Sequence, residues 1–510
     1  MNKEKMNNKK GTKEAMRDDY FYNMVDPEEM ETFEYLPTYV ELLKKCERDY
    51  PDYPAISDKV TTYTYKELIS RVARRRDFIY SQGLTPGAKV AVMARNDLDA
   101  MELLLAIATA GYTYIMLPNA LNDKALMGIS MKFGLEGIFV AEEFMPLAEG
   151  LNCKVWSTKS IGDNEAEYAE VTKDTVAAIY FTGGTTGAPK GAVMTHGAMM
   201  RGAFNGVFQP GKVMHKRYLL MLPLSHIFGS IKSFLACLYT GSLVYGCTDM
   251  KAAVGDIPVV RPHVLVLVPG LVDIIFSIAK MKGKGFLGDL ETLVVGAAPV
   301  PPRLMKVAEE MGICLCAGYG LTESANLSFA NAETDKYLES MGKPYPDQEF
   351  KVVDGELWLK GDNLMLGYYN EPELNAKVFE DGWFKTGDLV EFDENGYIYI
   401  TGRIKNLIIL GNGENVSPEE IEELFYKYSF VKDCLVSEME LNGKEVIGIE
   451  ILPYAPEAAG MSAEDIKLKL QAIVDAINAN LPPYKRVLKL VVRTEDFKKT
   501  GALKIDRNQK

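Results

Sequence analysis

The 510-residue sequence predicts an α/β protein. The expected body is a large N-terminal α/β domain with parallel-type sheets and a small β-rich section. A small, mobile α+β lid domain follows it. Three observations predict this. Apolar strand-like runs alternate with amphipathic helical stretches up to about residue 340, the text of parallel sheets covered by helices. Beyond Met341 the period changes to paired strands. After Thr401-Gly402-Arg403 a compact mixed segment of roughly a hundred residues begins, the size of a small domain.

Met1 to Asp19 is polar and lysine-rich without an apolar core. It is neither a signal peptide nor a core element, and a disordered tail is expected. The body then occupies 20–402 and the lid 403–510. The run Thr61 to Tyr65 is a short strand entering a helix over Lys66 to Gln82. Val90 to Met93 is a strand and Leu98 to Thr109 the next helix. Leu103 to Leu117 is the most apolar run, yet Pro118 ends it short of a membrane span. Further strands are expected at Leu219 to Leu222, Ser242 to Tyr245, Val264 to Val268, Leu293 to Val295 and Cys314 to Ala317. Phe350 to Val353 and Glu356 to Leu359 alternate around Asp354-Gly355, a two-residue hairpin signal. Ser417-Pro418-Glu419-Glu420 opens a helix with a serine cap, a first-turn proline and a glutamate at the third position. Strands over Cys434 to Val436 and Val446 to Leu452 and a helix over Ala463 to Asn480 complete the lid.

The formal net charge of −13 argues against a nucleic-acid backbone as the main partner. Seven scattered cysteines show neither zinc nor redox spacing, so reduced thiols and a cytoplasmic location are expected. No transmembrane segment is expected.

The chemistry centres on Tyr180 to Gly191, where four glycines, three threonines and one lysine follow an apolar strand. Glycines there let the backbone turn and aim N–H groups inward. Threonine hydroxyls add donors and Lys190 adds charge, which suits a polyphosphate. A Walker loop is excluded, because Ala188-Pro189 separates Gly187 from Lys190 and Gly191 follows. A flexible surface loop is the bland alternative.

With Pro189-Lys190-Gly191 appended, the stretch resembles the phosphate loop of the adenylate-forming enzymes: acyl-CoA synthetases, peptide-synthetase adenylation domains and luciferases. Gly184 stands where that family usually has serine. Further motifs match in the family's order along nearly the whole chain after the tail. The resemblance implies that Thr182, Gly183, Gly184, Thr185, Thr186, Gly187 and Lys190 hold the phosphates of ATP. His226, after Leu222-Pro223-Leu224-Ser225, matches a gate between ATP and the acyl channel; a structural histidine is the alternative. Gly296-Ala297-Ala298-Pro299 and Gly318-Tyr319-Gly320-Leu321-Thr322-Glu323 each follow an apolar strand, where open α/β sheets bind ligands. Ala298, Pro299, Gly318 and Gly320 are implied to border the nucleotide. Tyr319 would stack on adenine, or be a packed core aromatic. Thr322 would donate to the α-phosphate and Glu323 would hold Mg²⁺.

By the same match Asp388 grips the ribose, and Arg403 reaches ribose or phosphate or makes a boundary salt bridge. Lys405 is the implied hinge, and Gly411 and Gly413 belong to a loop near a pantetheine tunnel. Lys504 keeps its spacing from Thr500 and is the implied adenylation lysine, although Ala502-Leu503 replace the family's Ser-Gly.

The implied activity is ATP-dependent conversion of a carboxylic acid to acyl-AMP, then transfer to coenzyme A. Ile227 occupies the place where amino-acid-activating members carry Asp, and Phe228 to Leu238 is mostly apolar. A fatty acid is therefore expected first and an aryl acid second. Loading of a carrier protein's phosphopantetheine, a luciferase-type oxidation, and an inactive nucleotide sensor are the alternatives.

Overall fold

A computed structural model describes residues 20–182, 189–247, 249–409, 415–441, 444–499 and 505–507. Gly183, Gly184, Thr185, Thr186, Gly187, Gly411, Gly413 and Lys504 lie outside the described residues, as does the 1–19 tail.

Among the described residues the body holds two large sheets. In the first, Val176–Thr182, Thr113–Met116, Lys89–Met93, Leu135–Val140 and Lys154–Ser157 run parallel and side by side. Lys190–Thr195 and then Gly367–Tyr368 extend it antiparallel beyond Val176–Thr182. In the second, Cys314–Tyr319, Thr292–Val295, Val264–Leu267, Arg217–Leu219, Leu243–Tyr245 and Pro54–Ser57 form the parallel centre. These central strands are buried on both faces, which is why they read as continuous apolar runs. An antiparallel section contains Glu349–Val353, Glu356–Lys360, Trp383–Phe392 and Ile398–Arg403. Asp354 and Gly355, both at positive φ (51° and 84°), turn its first hairpin, as the two-residue signal requires.

The helix Leu98–Thr109 falls where the sequence puts it. Asp97 caps it by accepting from Ala100 N at 2.9 Å, and Gly111 at φ 78° lies just beyond its end. The strand expected at Leu219 to Leu222 is instead Arg217–Leu219. The Asn96 amide donates to the carbonyls of Leu220 (3.2 Å) and Leu222 (2.9 Å) and accepts from Leu224 N (3.0 Å). A side chain thus takes hydrogen bonds that a neighbouring strand would otherwise make.

Residues beyond Ile408 pack into a core of their own, built from Val416, Ile421, Phe425, Val436, Ile449 and Leu470 among others. The strands Val431–Leu441 and Lys444–Pro453 pair there, with Lys489–Val492 parallel to the second. Ser417 caps Pro418–Tyr426 by accepting from Glu420 N. The Glu420 carboxylate does not close a capping box. It takes Lys485 Nζ at 2.7 Å on both oxygens. No helix of the described residues is long and apolar enough to cross a membrane.

Candidate active site

The described motif residues collect at the carboxyl ends of the parallel strands and at the junction with the C-terminal core. Thr182 ends one strand and Lys190 begins the next, and the two are register partners. The hairpin therefore pins both ends of the glycine-rich loop. Gly191 must be glycine: a Cβ there would sit 2.5 Å from the Phe133 ring and 2.6 Å from Ile179.

Residues 365–369 tie Lys190 to Glu323. Leu366 N and Tyr369 N donate to Val193 and Gly191 on the lysine's strand, at 2.9 and 2.8 Å. Met365 N donates to the Glu323 carbonyl at 2.8 Å. The Tyr368 hydroxyl donates to Glu323 Oε1 at 2.6 Å, and Lys190 Nζ lies 5.7 Å from the Tyr368 ring centre. Burial and the adjacent carboxylate hold the Tyr368 hydroxyl far above its ordinary range, so it stays a donor. Tyr368 was not legible as a site residue, because one aromatic after a glycine carries no pattern of its own.

Gly318 and Tyr319 end the strand Cys314–Tyr319, and Thr322 and Glu323 lie in the 3₁₀ turn Thr322–Ser324. Gly320 admits no side chain, since a Cβ would lie 1.8 Å from the Asn326 carbonyl oxygen. At Gly296 a Cβ would meet the Phe228 ring at 3.3 Å and the Gly318 oxygen at 3.4 Å. The turn continues through Ala297 at φ 68°, a left-handed position that is costly for alanine. Ala298 is half-buried and Pro299 exposed.

Tyr319 is buried and packs edge-on against Phe329, with ring centres 6.0 Å apart. Its hydroxyl donates to Asp388 Oδ2 at 2.6 Å. Arg403 Nε meets Asp388 Oδ1 at 2.8 Å, and the two residues are register partners on adjacent strands. The tyrosine, the carboxylate and the guanidinium thus form one cluster, with Asp388 only 1% exposed. The packed-aromatic description of Tyr319 and the boundary salt bridge of Arg403 both hold as geometry.

Lys405 lies two residues on, in the 3₁₀ turn Ile404–Asn406. Desolvation, then Arg403, lowers its pKa, and it also senses Asp388, Lys190 and Glu323. His226 is half-buried and caps the helix after it, with Nδ1 accepting from Phe228 N at 3.2 Å. That bond makes Nδ1 an acceptor, so a neutral ring carries its proton on Nε2.

Two residues absent from the sequence expectations face a cavity next to these motifs. Lys232 and Gln209 line it together with Phe228, Gly296, Gly318 and Gly320.

Residues 43–369 match the AMP-binding enzyme family and residues 405–509 the AMP-binding enzyme C-terminal domain. A feruloyl-CoA synthase from Amycolatopsis sp is 30% identical over 406 residues, covering 76% of this chain and 82% of that protein. A 2-succinylbenzoate–CoA ligase from Listeria innocua is 25% identical over 455 residues, covering 88% and 93%. Among solved structures, O-succinylbenzoate coenzyme A synthetase from Bacillus subtilis, in complex with ATP and magnesium ion, shares the fold. Its TM-score is 0.77 at 24% identity, covering 92% of this chain and 98% of that one. The chain belongs to the AMP-binding enzymes, the family of AMP-forming acid–CoA ligases.

Proposed function

We propose that this chain activates a carboxylic acid with ATP and passes the acyl group to coenzyme A. The observation that carries the proposal is the set of pairings that bring Lys190 beside Tyr368 and Glu323, and Tyr319 and Arg403 onto Asp388, at the strand ends and the domain junction.

A carboxylate is a poor electrophile, because its leaving group would be an oxide. Attack of its oxygen on the α-phosphorus of ATP expels pyrophosphate and leaves a mixed anhydride. The chain's task is to hold two anions together while charge develops, which fixed donors and cations do best. Thr182, Lys190 and the intervening loop would hold the phosphates, with Thr322 at the α-phosphate. Asp388 would take the ribose hydroxyls, with Arg403 beside it. Tyr319 would border the adenine, and Gly318, Gly320, Ala298 and Pro299 would let it approach. His226 would separate nucleotide from acyl group.

Glu323 fits a Mg²⁺ ion. One of its oxygens accepts from Tyr368, and no cage of three or more metal-ligating side chains occurs among the described residues. Mg²⁺ is commonly held by one or two carboxylates plus substrate phosphates. When bound, the ion supplies charge neutralisation at the phosphates.

In the second half-reaction the thiol of coenzyme A attacks the acyl carbon and AMP leaves. Lys504 serves the first half. Residues 403–510 then turn about Lys405 over the body 20–402, bringing Gly411 and Gly413 toward the pantetheine. The names of the relatives support coenzyme A, rather than a carrier-protein arm, as acceptor. They also support an aryl acid. The apolar part of the cavity lining, Phe208, Phe228 and Leu327, suits an aryl frame or, as the second choice, an alkyl chain.

ATP–pyrophosphate exchange across aryl, fatty and amino acids, followed by detection of acyl-CoA, tests this. The expected result is exchange with an aryl or fatty acid and acyl-CoA formation that depends on ATP. Fastest exchange with an amino acid, or exchange without any acyl-CoA, would overturn it.

A further inference from the structure

Lys232 sits in the helical stretch after His226. Ile227–Ser230 and Ala236–Tyr239 are α-helical, and Ile231–Leu235 between them makes a π turn. Such turns redirect side chains and are frequent at functional sites. Only 2% of Lys232 is exposed. Its ammonium donates to the Gly206 carbonyl and to Gln209 Oε1 at 3.4 Å. The other end of the Gln209 amide donates to the Tyr218 hydroxyl at 2.9 Å, which turns the amide oxygen toward the lysine.

Burial lowers the lysine's pKa to about 8, so the group is still a cation at neutral pH. An ammonium carries three protons, and these two neutral acceptors take two of them. Buried cations are ordinarily paired with an anion, yet among the described residues no carboxylate lies against Lys232. Capping the carbonyl end of the helix His196–Asn205 accounts for one hydrogen bond. It does not account for a buried cation on a residue that lines, with Gly296, Gly318 and Gly320, a cavity of about 20 Å³.

We propose that Lys232, flanked by Gln209, receives a second carboxylate at the far end of the acyl substrate, so that the acid activated here is a dicarboxylic acid. This rests on the ligase activity proposed above. The missing counter-ion would then be supplied by the substrate. An acid ending in a methyl group would leave the ammonium buried and unpaired, a strong penalty against it.

The test uses the full chain in ATP–pyrophosphate exchange. Three acids of matched length are compared on an aryl and on an alkyl frame, ending in carboxylate, hydroxyl or methyl. The wild type is expected to favour the carboxylate-terminated acid at least about tenfold in kcat/KM. Lys232→Met should cut kcat/KM for that acid about 10- to 100-fold, the range of a charge-assisted hydrogen bond, and raise it for the methyl-terminated acid. Lys232→Arg should keep the preference. Gln209→Leu should raise KM for the carboxylate-terminated acid with a smaller change in kcat, and it serves where Lys232→Met does not fold. A wild-type preference for the hydroxyl- or methyl-terminated acid overturns the proposal. So does an equal loss on all three acids in Lys232→Met or Gln209→Leu, which would mark a purely structural lysine. Exchange with none of the acids on either frame would refute the ligase activity itself, a distinguishable failure.

Discussion

Tyr319 donates its hydroxyl proton to Asp388 at 2.6 Å, joining the end of a parallel strand to a strand of the antiparallel section 69 residues later. Both residues are buried, and burial, reinforced by the carboxylate, pushes the tyrosine far above its ordinary pKa. Tyr319→Phe removes one donor from a buried carboxylate that Arg403 still holds. We expect a stability loss of about 1–3 kcal/mol, read by chemical denaturation, and a several-fold rise in KM for ATP. A stability loss with ATP binding intact would make Tyr319 a packing residue only.

Glu323→Gln keeps the shape and removes the charge. Turnover is expected to fall and the Mg²⁺ concentration for half-maximal activity to rise. Tyr368→Phe, which removes the hydroxyl holding Glu323, should act in the same direction by about 10- to 100-fold, as outer-shell partners do. Mg²⁺ titration of both variants checks this. An unaltered Mg²⁺ dependence in Glu323→Gln would exclude the assigned role.

The two lysines of the C-terminal unit should separate the half-reactions. Lys504→Ala is expected to lose about 10²–10³ in adenylation and to keep thioester formation from supplied acyl-AMP. Lys405→Pro is expected to behave oppositely. Proline fixes φ and resists rotation at that point. Equal losses in both halves for Lys504→Ala would point to Lys498 or Lys499 instead.

Glu423 predicts a pH effect on stability. Burial, reinforced by Glu339 across the junction, raises its pKa from the ordinary 4.5 to about 8, with Lys427 opposing. Between those values the folded chain keeps a proton that the unfolded chain has released, so stability falls as pH rises. Glu423→Gln lacks that proton. Its stability relative to wild type should grow from about pH 5 to about pH 8 and level off above. Parallel melting profiles from pH 5 to pH 9 would show that Glu423 does not titrate as described.

Local signals decided much of the fold. The helix Leu98–Thr109 has its cap in Asp97 and the Asp354-Gly355 turn has its two positive φ values, so neighbouring residues were sufficient to read them. The candidate motifs were legible through their resemblance, in order along the chain, to a known family. Gly191 and Gly320 mark places where a Cβ would collide with other atoms, and such residues stand out in a linear text.

The partners were decided by the tertiary structure. Nothing near Glu420 in sequence indicates that Lys485 would draw its carboxylate from the helix cap, or that Asn96 would shorten a strand more than a hundred residues away. Glu323 acquires Tyr368, and Tyr319 acquires Asp388, only when separate strands are set side by side. Lys232 is the sharpest case. A single lysine in an apolar helical run has the same local text whether its end reaches water or a cavity. Hydrogen-bond partners and loss of solvent are properties of groups brought together from distant parts of the chain, and they do not exist until the chain has packed.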